Sequence, residues 1–368
     1  MSEWKTYKLG DLIECIIDNR GKSAPISISN YQPIIEINAL GQREVNYDVI
    51  RKYVSKETYD TWFRAGHPKI GDILFSTVGT IGLTSLMTQD VGCIAQNIIA
   101  LRVNDKLLNN QYLYYFLNNK TTKINLNNLN IGGVQPSIKL PHLLNMPISL
   151  PPLTEQKRIA DILSAIDDKI ELNRRINVNL EQQAQALYKS WFVDADTTGW
   201  GTKKLADFFN VITGKKDANY STKDGVYPFF TCSQDILKAP NYSFEGAAIL
   251  LAGNGDFNVK RYIGKFEAYQ RTYVLIPFEK RYHSFLYLLI KYHLQEITGG
   301  SRGSVIKFIT KGNIADFTFT MPPYSIDEKL SLFDSLFNEI DKNITEINNL
   351  STIRDTLLPK LMSGEIKV

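Results

Sequence analysis

The stretch Pro151–Val193, PPLTEQKRIADILSAIDDKIELNRRINVNLEQQAQALYKSWFV, decides how the rest of the chain is organised. Ile166, Ile170, Asn173, Asn177, Leu180, Ala184, Leu187 and Trp191 step by four and three, the spacing that aligns side chains along one seam of a coiled coil. A helix of roughly 40 residues at ~1.5 Å per residue is about 60 Å long. Such a rod is a spacer, and something must sit at each end of it. Thr154 reads as its N-cap, and Glu155 suits the positive end of the helix dipole.

A second copy closes the chain. Pro322-Pro323 repeat Pro151-Pro152, and after them Leu330, Phe333, Leu336, Ile340, Ile344, Ile347, Leu350, Leu357 and Leu361 form a second helical stripe. Ser325 and Glu328 read as a capping box at its start, and Pro359 limits how far it continues undisturbed. The remainder repeats too. Trp4-Lys5-Thr6-Tyr7-Lys8-Leu9 returns as Trp200-Gly201-Thr202-Lys203-Lys204-Leu205, and Gly71-Asp72-Ile73-Leu74 as Ala247-Ala248-Ile249-Leu250. Gln96-Asn97 aligns with Gln270-Arg271, and Gly132-Gly133 with Lys139 aligns with Gly299-Gly300 and Lys307. The period far exceeds the roughly 20 to 50 residues of solenoids, so this is a tandem duplication. The expected boundaries are a globular domain over 1–152, a helix over 153–195, a second domain over 196–322, and a second helix with a tail over 323–368.

Each globular half reads as α+β. Short β-rich runs at Ile34–Ile37, Asp72–Thr77, Ile98–Val103, Tyr227–Thr231 and Thr272–Ile276 are punctuated by Gly and Asn, with an amphipathic helix near Tyr112 and near Phe285. The two long helices have apolar seams that can bury each other, and halves related by a pseudo-twofold set them antiparallel. Their midpoints, Asn173 and Asn343, are then expected to meet as a polar pair that fixes register; the bland alternative is that they face solvent. Trp4, the counterpart of Trp200, is expected beside the end of the second helix, so that the terminal segments touch and the organisation is circular.

Composition sets the outer bounds. A chain of 368 residues is long enough for two or three domains, and 43% hydrophobic residues is the content of a folded protein. No run of about 18 apolar residues and no signal h-region is present, which gives a cytoplasmic expectation. Cys15, Cys93 and Cys232 are scattered and odd in number, against a disulfide framework or a cysteine zinc site. The net charge of +4 is weakly basic, but Lys and Arg recur in glycine-bearing turns.

The search for catalysis is negative. Gly21-Lys22-Ser23 looks like the tail of a phosphate loop, but Ile16 stands where the first glycine belongs. Met321-Pro322-Pro323-Tyr324 resembles the Pro-Pro-Tyr box of amino-methyltransferases, yet methionine cannot accept hydrogen bonds from an amine as Asn or Asp does. Leu251-Ala252-Gly253-Asn254-Gly255-Asp256 reads as a hairpin turn before a nucleotide loop. His67, His142, His283 and His293 lack metal spacing, and the chain is read as binding no metal or cofactor itself.

Together, Pro151–Arg158, Ala165–Asn173, Gly71–Leu74 and Leu357–Ile366 resemble the specificity subunit of type I restriction-modification systems. The resemblance spans essentially the whole chain. It implies that the halves are two target recognition domains, each reading one part of a split double-stranded DNA site, with the helices as a coiled-coil ruler. It implies two modification subunits as partners, which bind S-adenosylmethionine and methylate a flipped-out adenine, and, as often in the family, restriction subunits that use ATP and Mg. Unlike halves imply an asymmetric target. The chain itself is then not an enzyme.

For base and phosphate contact, the resemblance directs attention to polar loop side chains. These are Arg20, Lys22, Ser23, Gln96, Asn97, Gln135, Ser137 and Lys139 in the first half, and Lys215, Lys216, Gln270, Arg271, Arg302, Ser304 and Lys307 in the second. Arg suits guanine and Asn or Gln adenine, whereas Lys and Ser more often hold phosphate. Ordinary solvated loop charge is the bland alternative. Asp168, Glu171, Arg174 and Arg175 on the first helix are expected to be available to modification subunits. Two rival readings are a DNA methyltransferase with a degenerate site and a structural adaptor between proteins.

Overall fold

The computed structural model describes residues 4–19, 21, 23–133, 135–299 and 307–368. It divides into two units, Met1–Leu172 with Glu346–Val368, and Asn173–Thr345.

In the first unit the chain opens with β1 (Lys5–Lys8), β2 (Ile13–Asp18), β3 (Gln32–Ile35) and β4 (Tyr53–Val54). Helix α1 (Lys56–Trp62) follows, then β5 (Ile73–Ser76), β6 (Thr84–Leu86), β7 (Cys93–Ile94) and β8 (Ile98–Val103). Helices α2 (Asn110–Asn118), α3 (Lys120–Asn128) and α4 (Leu140–Leu144) lead to β9 (Pro147–Leu150) and the long helix α5 (Leu153–Tyr188). A four-stranded sheet has the order β2-β8-β5-β6, and a smaller one the order β4-β3-β7, with β3 and β7 parallel. β1 and β9 form an antiparallel ribbon, Lys5 opposite Leu150, that brings the chain to the start of α5.

After α5 and a wider turn at Lys189–Val193, the second unit contains β10 (Gly201–Lys204), β11 (Phe209–Thr213), β12 (Tyr227–Phe230) and β13 (Ile236–Ala239). The hairpin of β14 (Phe244–Ala252) and β15 (Val259–Ala268) precedes β16 (Thr272–Pro277). Then come helices α6 (His283–Tyr292), α7 (Leu294–Gly299) and α8 (Lys311–Ala315), strand β17 (Thr318–Met321) and the long helix α9 (Asp327–Met362). Its main sheet runs β11-β16-β14-β15-β12-β13, and β10 pairs with β17, Gly201 opposite Met321.

The duplication is visible in strand register. Leu74 lies opposite Ala100 in the first unit, as Leu250 lies opposite Val274 in the second. The halves differ because β15 is continuous, whereas its counterpart is broken into β6 and β7. One six-stranded sheet therefore stands where the first unit has two. Mixed helices and sheets in both units agree with the α+β reading.

Each core joins a globular lobe to pieces of both long helices. In the first unit Ile159, Ala160 and Leu163 of α5, with Leu358 and Leu361 of α9, share a cluster with Leu9, Phe75, Tyr112 and Leu143. In the second, Ala184 and Tyr188 of α5 and Phe333, Phe337 and Ile340 of α9 pack with Phe285, Leu289 and Phe319. Full burial of such a side chain contributes roughly 1.5 to 3 kcal/mol, so these faces tie helix to lobe.

The helices run antiparallel in both units. Asp167 meets Arg354 and Lys169 meets Glu346 in the first; Asn177 meets Asn343, and Trp191 meets Phe333, in the second. All eight expected seam positions, seven in α5 and Trp191 in the wider turn after it, are buried or half-buried. On α9, however, Ile344 is exposed at 46% while Phe337 and Leu358 are buried. A helical repeat of about 3.6 residues carries the seam from Ile340 through Asn343 to Ile347.

Several local expectations are corrected. The Pro152 carbonyl accepts from Glu155 and Gln156 at 2.9 and 3.0 Å, so α5 starts before Thr154, at the pre-set proline backbone. Ser325 Oγ accepts from the Asp327 N–H at 3.2 Å and donates to its carboxylate at 2.9 Å, closing the cap on Asp327 instead of Glu328. Pro359 lies inside α9, where its helical φ lets the chain continue to Met362 with the loss of one N–H donor. At the other terminus, a Cβ on Gly364 would lie 3.2 Å from the Trp4 ring, so the terminal segments touch within the first unit. No helix among the described residues is long and apolar enough to cross a membrane.

Candidate nucleic-acid interface

Three segments meet at one end of the first unit's central sheet: the turn after β5, the turn between β7 and β8, and the segment before α4. The Thr77 N–H donates to Asn97 O at 2.9 Å, Ile138 N–H to Thr77 O at 2.9 Å, and Gly79 N–H to Pro136 O at 2.9 Å. The second unit repeats this stitching. Gly253 N–H donates to Arg271 O at 2.9 Å, Ile309 N–H to Gly253 O at 3.1 Å, and Gly255 N–H to Lys307 O at 3.0 Å. Val78 bridges Ser137 as Asn254 bridges Phe308. The turns need glycine, because Gly79 and Gly255 hold φ of +83° and +71°. With these backbone groups paired internally, it is the side chains that remain to meet a ligand.

The turn between β7 and β8, and its counterpart before β16, is anchored on its other side as well. Ala95 N–H donates to Ile35 O at 3.0 Å, and Tyr269 N–H to Phe230 O at 2.9 Å. Gln96 and Gln270 therefore occupy equivalent, exposed positions, followed by half-buried Asn97 and exposed Arg271. The frame also corrects the repeat alignment. Lys307 is the counterpart of Pro136, so Lys139 and Lys307 are not equivalent.

Around this frame the structure gathers most of the described candidates. Ser23, Gln96 and Asn97 line a pocket of about 210 Å³ with Asn19 and the Lys52–Glu36 ion pair. Ser137 belongs to the frame, and a Cβ on Gly79 would lie 3.9 Å from Gln135 Nε2. Lys139 occupies the N-cap position of α4 without a side-chain cap bond and is exposed. In the second unit Gln270 N–H donates to Lys216 O at 2.8 Å, while its side chain donates to Asp217 at 2.6 Å. The ammonium of Lys216 sits 4.6 Å over the Tyr220 ring and that of Lys215 sits 5.4 Å over Phe244. Arg20, Lys22, Arg302 and Ser304 lie outside the described residues.

Some polar groups here escaped the sequence reading. Asn19, Glu36, Lys52 and Asp217 reach the frame only through tertiary structure. Lys260 of β15 donates to Ser233 O at 2.6 Å and to Asn258 Oδ1 at 2.5 Å, and burial lowers its pKa.

The other chemical candidates have structural partners. His283 Nε2 lies 3.0 Å from Ala248 O, and burial pushes the imidazole down to about 4. The His67 ring stacks on Tyr59 with centroids 3.6 Å apart. Burial pushes the Cys93 thiol up to about 12, far from a thiolate nucleophile. Met321 of the Pro-Pro-Tyr segment ends β17. On the helices, Asn173 and Asn343 are 0% and 8% exposed, but the Asn343 amide donates to Asn177 at 2.9 Å, one turn beyond the expected Asn173. Asp168 is ion-paired with Arg43 of its own lobe, with its side chain still 66% exposed.

The family model described as the type I restriction modification DNA specificity domain matches residues 1–182 and 197–350. The Escherichia coli type I restriction enzyme EcoDI specificity subunit is 39% identical over 175 residues, 45% of this chain and 38% of that subunit. The Methanocaldococcus jannaschii MjaIX specificity subunit is 27% identical over 345 residues, 79% of this chain and 78% of that one. A crystal structure of a type I restriction-modification system S subunit from M. genitalium has the same fold, with a TM-score of 0.64 and 17% identity over 98% of this chain and 96% of that chain. With the family model matching both halves of the repeat, the chain belongs to the type I restriction-modification DNA specificity family.

Proposed function

We propose that this chain is the non-catalytic DNA-reading subunit of a type I restriction-modification assembly, with target recognition domains over 1–152 and 196–322. Each reads one part of an asymmetric bipartite site. The observation that carries this reading is the recurrence of one three-segment frame in both units, presenting unlike side chains: Gln96 and Asn97 in one, Gln270 and Arg271 in the other. A duplicated scaffold with differing polar tips suits two different sequences. Lys139, Lys215 and Lys307, all exposed, are suited to phosphate.

The chemistry then belongs to partners. Two modification subunits would bring S-adenosylmethionine and dock on the long helices, and restriction subunits would bring ATP and Mg. The test is binding of the purified chain to duplex DNA across a salt series. A phosphate-contacting reader loses affinity linearly in log salt, with a slope of about −0.9 per phosphate neutralised. A flat response identifies an adaptor, and S-adenosylmethionine binding by the chain alone identifies a methyltransferase.

A further inference from the structure

We propose that the second residue of the reading turn, Asn97 in the first unit and Arg271 in the second, is the specificity-determining position of each reader, with Asn97 selecting adenine and Arg271 guanine. This rests on the DNA-reading function above. It adds the residue that makes the two readers different and the base class each takes.

The argument is one of equivalence. Asn97 O and Arg271 O accept the same frame hydrogen bond, from Thr77 and Gly253, each at 2.9 Å. The following residue closes the same turn in both, Ile98 N–H to Ala95 O at 3.1 Å and Thr272 N–H to Tyr269 O at 2.7 Å. Backbone position is thus the same, and only the side chain differs. The preceding residue is glutamine in both units, so it cannot distinguish them. Gln270 is moreover engaged by Asp217 at 2.6 Å.

The side chains at the second position keep their hydrogen-bonding capacity. Asn97 Oδ1 is enclosed against the pocket and accepts no hydrogen bond among the described residues. An enclosed acceptor left unmet is costly unless a ligand completes it, and an asparagine amide completes its bonds on the N6 and N7 edge of adenine. Arg271 is exposed, and its guanidinium makes no hydrogen bond or ion pair among the described residues. A free guanidinium fork matches O6 and N7 of guanine.

The test is selection from a randomised duplex pool by the full chain co-expressed with its modification subunits, comparing wild type, Asn97→Arg and Arg271→Asn. Expected is a wild-type bipartite motif in which Asn97→Arg changes adenine to guanine at one position of one part, by about tenfold (~1.4 kcal/mol). Arg271→Asn makes the converse change in the other part. Each variant leaves the remaining part as in wild type. A variant that enriches the wild-type motif, or no motif while the wild type enriches one and the variant's thermal unfolding is unchanged, overturns the assignment but leaves DNA reading standing. A variant that unfolds is replaced by Asn97→Gln or Arg271→Lys, for which retention of adenine with Gln and weakened guanine preference with Lys are expected, and an unaltered preference with Lys overturns it. If the wild type enriches no motif, the wider reading fails.

Discussion

Asn343 donates its side-chain amide to the side-chain oxygen Oδ1 of Asn177 across 2.9 Å, inside the seam between the two long helices. A polar pair at this place specifies register, because any other alignment would set an amide against apolar side chains. Asn343→Leu alone leaves Asn177 without this partner and should destabilise the second unit by ~1 to 3 kcal/mol in urea denaturation. The double change Asn177→Leu with Asn343→Leu should recover most of that loss. A double variant as unstable as the two single changes combined would contradict the pairing.

Arg261 holds a second link between helix and lobe. Its guanidinium makes two bonds to Asp341, at 2.8 and 3.0 Å, and lies 4.6 Å over the Phe337 ring. The arginine side chain is 10% exposed and the aspartate 42%. Because Asp341 reaches solvent, Asp341→Ala should cost ~1 to 2 kcal/mol, below the ~3 to 5 kcal/mol of a fully buried pair. Urea melts with and without added salt check this; no change in midpoint would contradict it.

Acid should destabilise the second unit through His283. Burial holds its folded pKa at about 4, against an ordinary 6.5, with Arg261 and Lys280 lowering it further and Asp341 raising it. Between those values the unfolded chain binds a proton that the folded chain does not, so stability is fully present above pH 6.5 and falls as pH drops towards 4. The contribution is ~3 kcal/mol. His283→Gln should flatten the dependence of the unfolding midpoint on pH across this window, and an unchanged slope would refute the assignment.

At the junction of the termini, Gly364 holds φ of +74° and faces the Trp4 ring. Gly364→Ala should cost about 1 kcal/mol or more, part of it backbone strain and part a clash with Trp4. In a Trp4→Ala background the cost should be smaller, because only the strain remains. Equal costs in both backgrounds would show that the two segments do not press on each other.

The helices, the repeat and the strands at Ile98–Val103 and Thr272–Pro277 were legible because periodicity and duplication are properties of sequence order. Register was less so. Asn343 meets Asn177 because packing sets the stagger of the helices, whereas counting from midpoints points to Asn173. Of the candidate site, the paired dipeptides Gln96-Asn97 and Gln270-Arg271 stood out through the repeat. Lys52 and Asp217 do not, since they reach the frame from loops far away in sequence, and the equivalence of Lys307 with Pro136 appears only in backbone hydrogen bonds.

The central claim is that one chain carries two readers of different sequence. Methylome sequencing of cells expressing the chain with its modification subunits tests it directly. The account predicts adenine methylation within an asymmetric motif of two specified parts separated by an unread spacer. A contiguous, symmetric motif would contradict it.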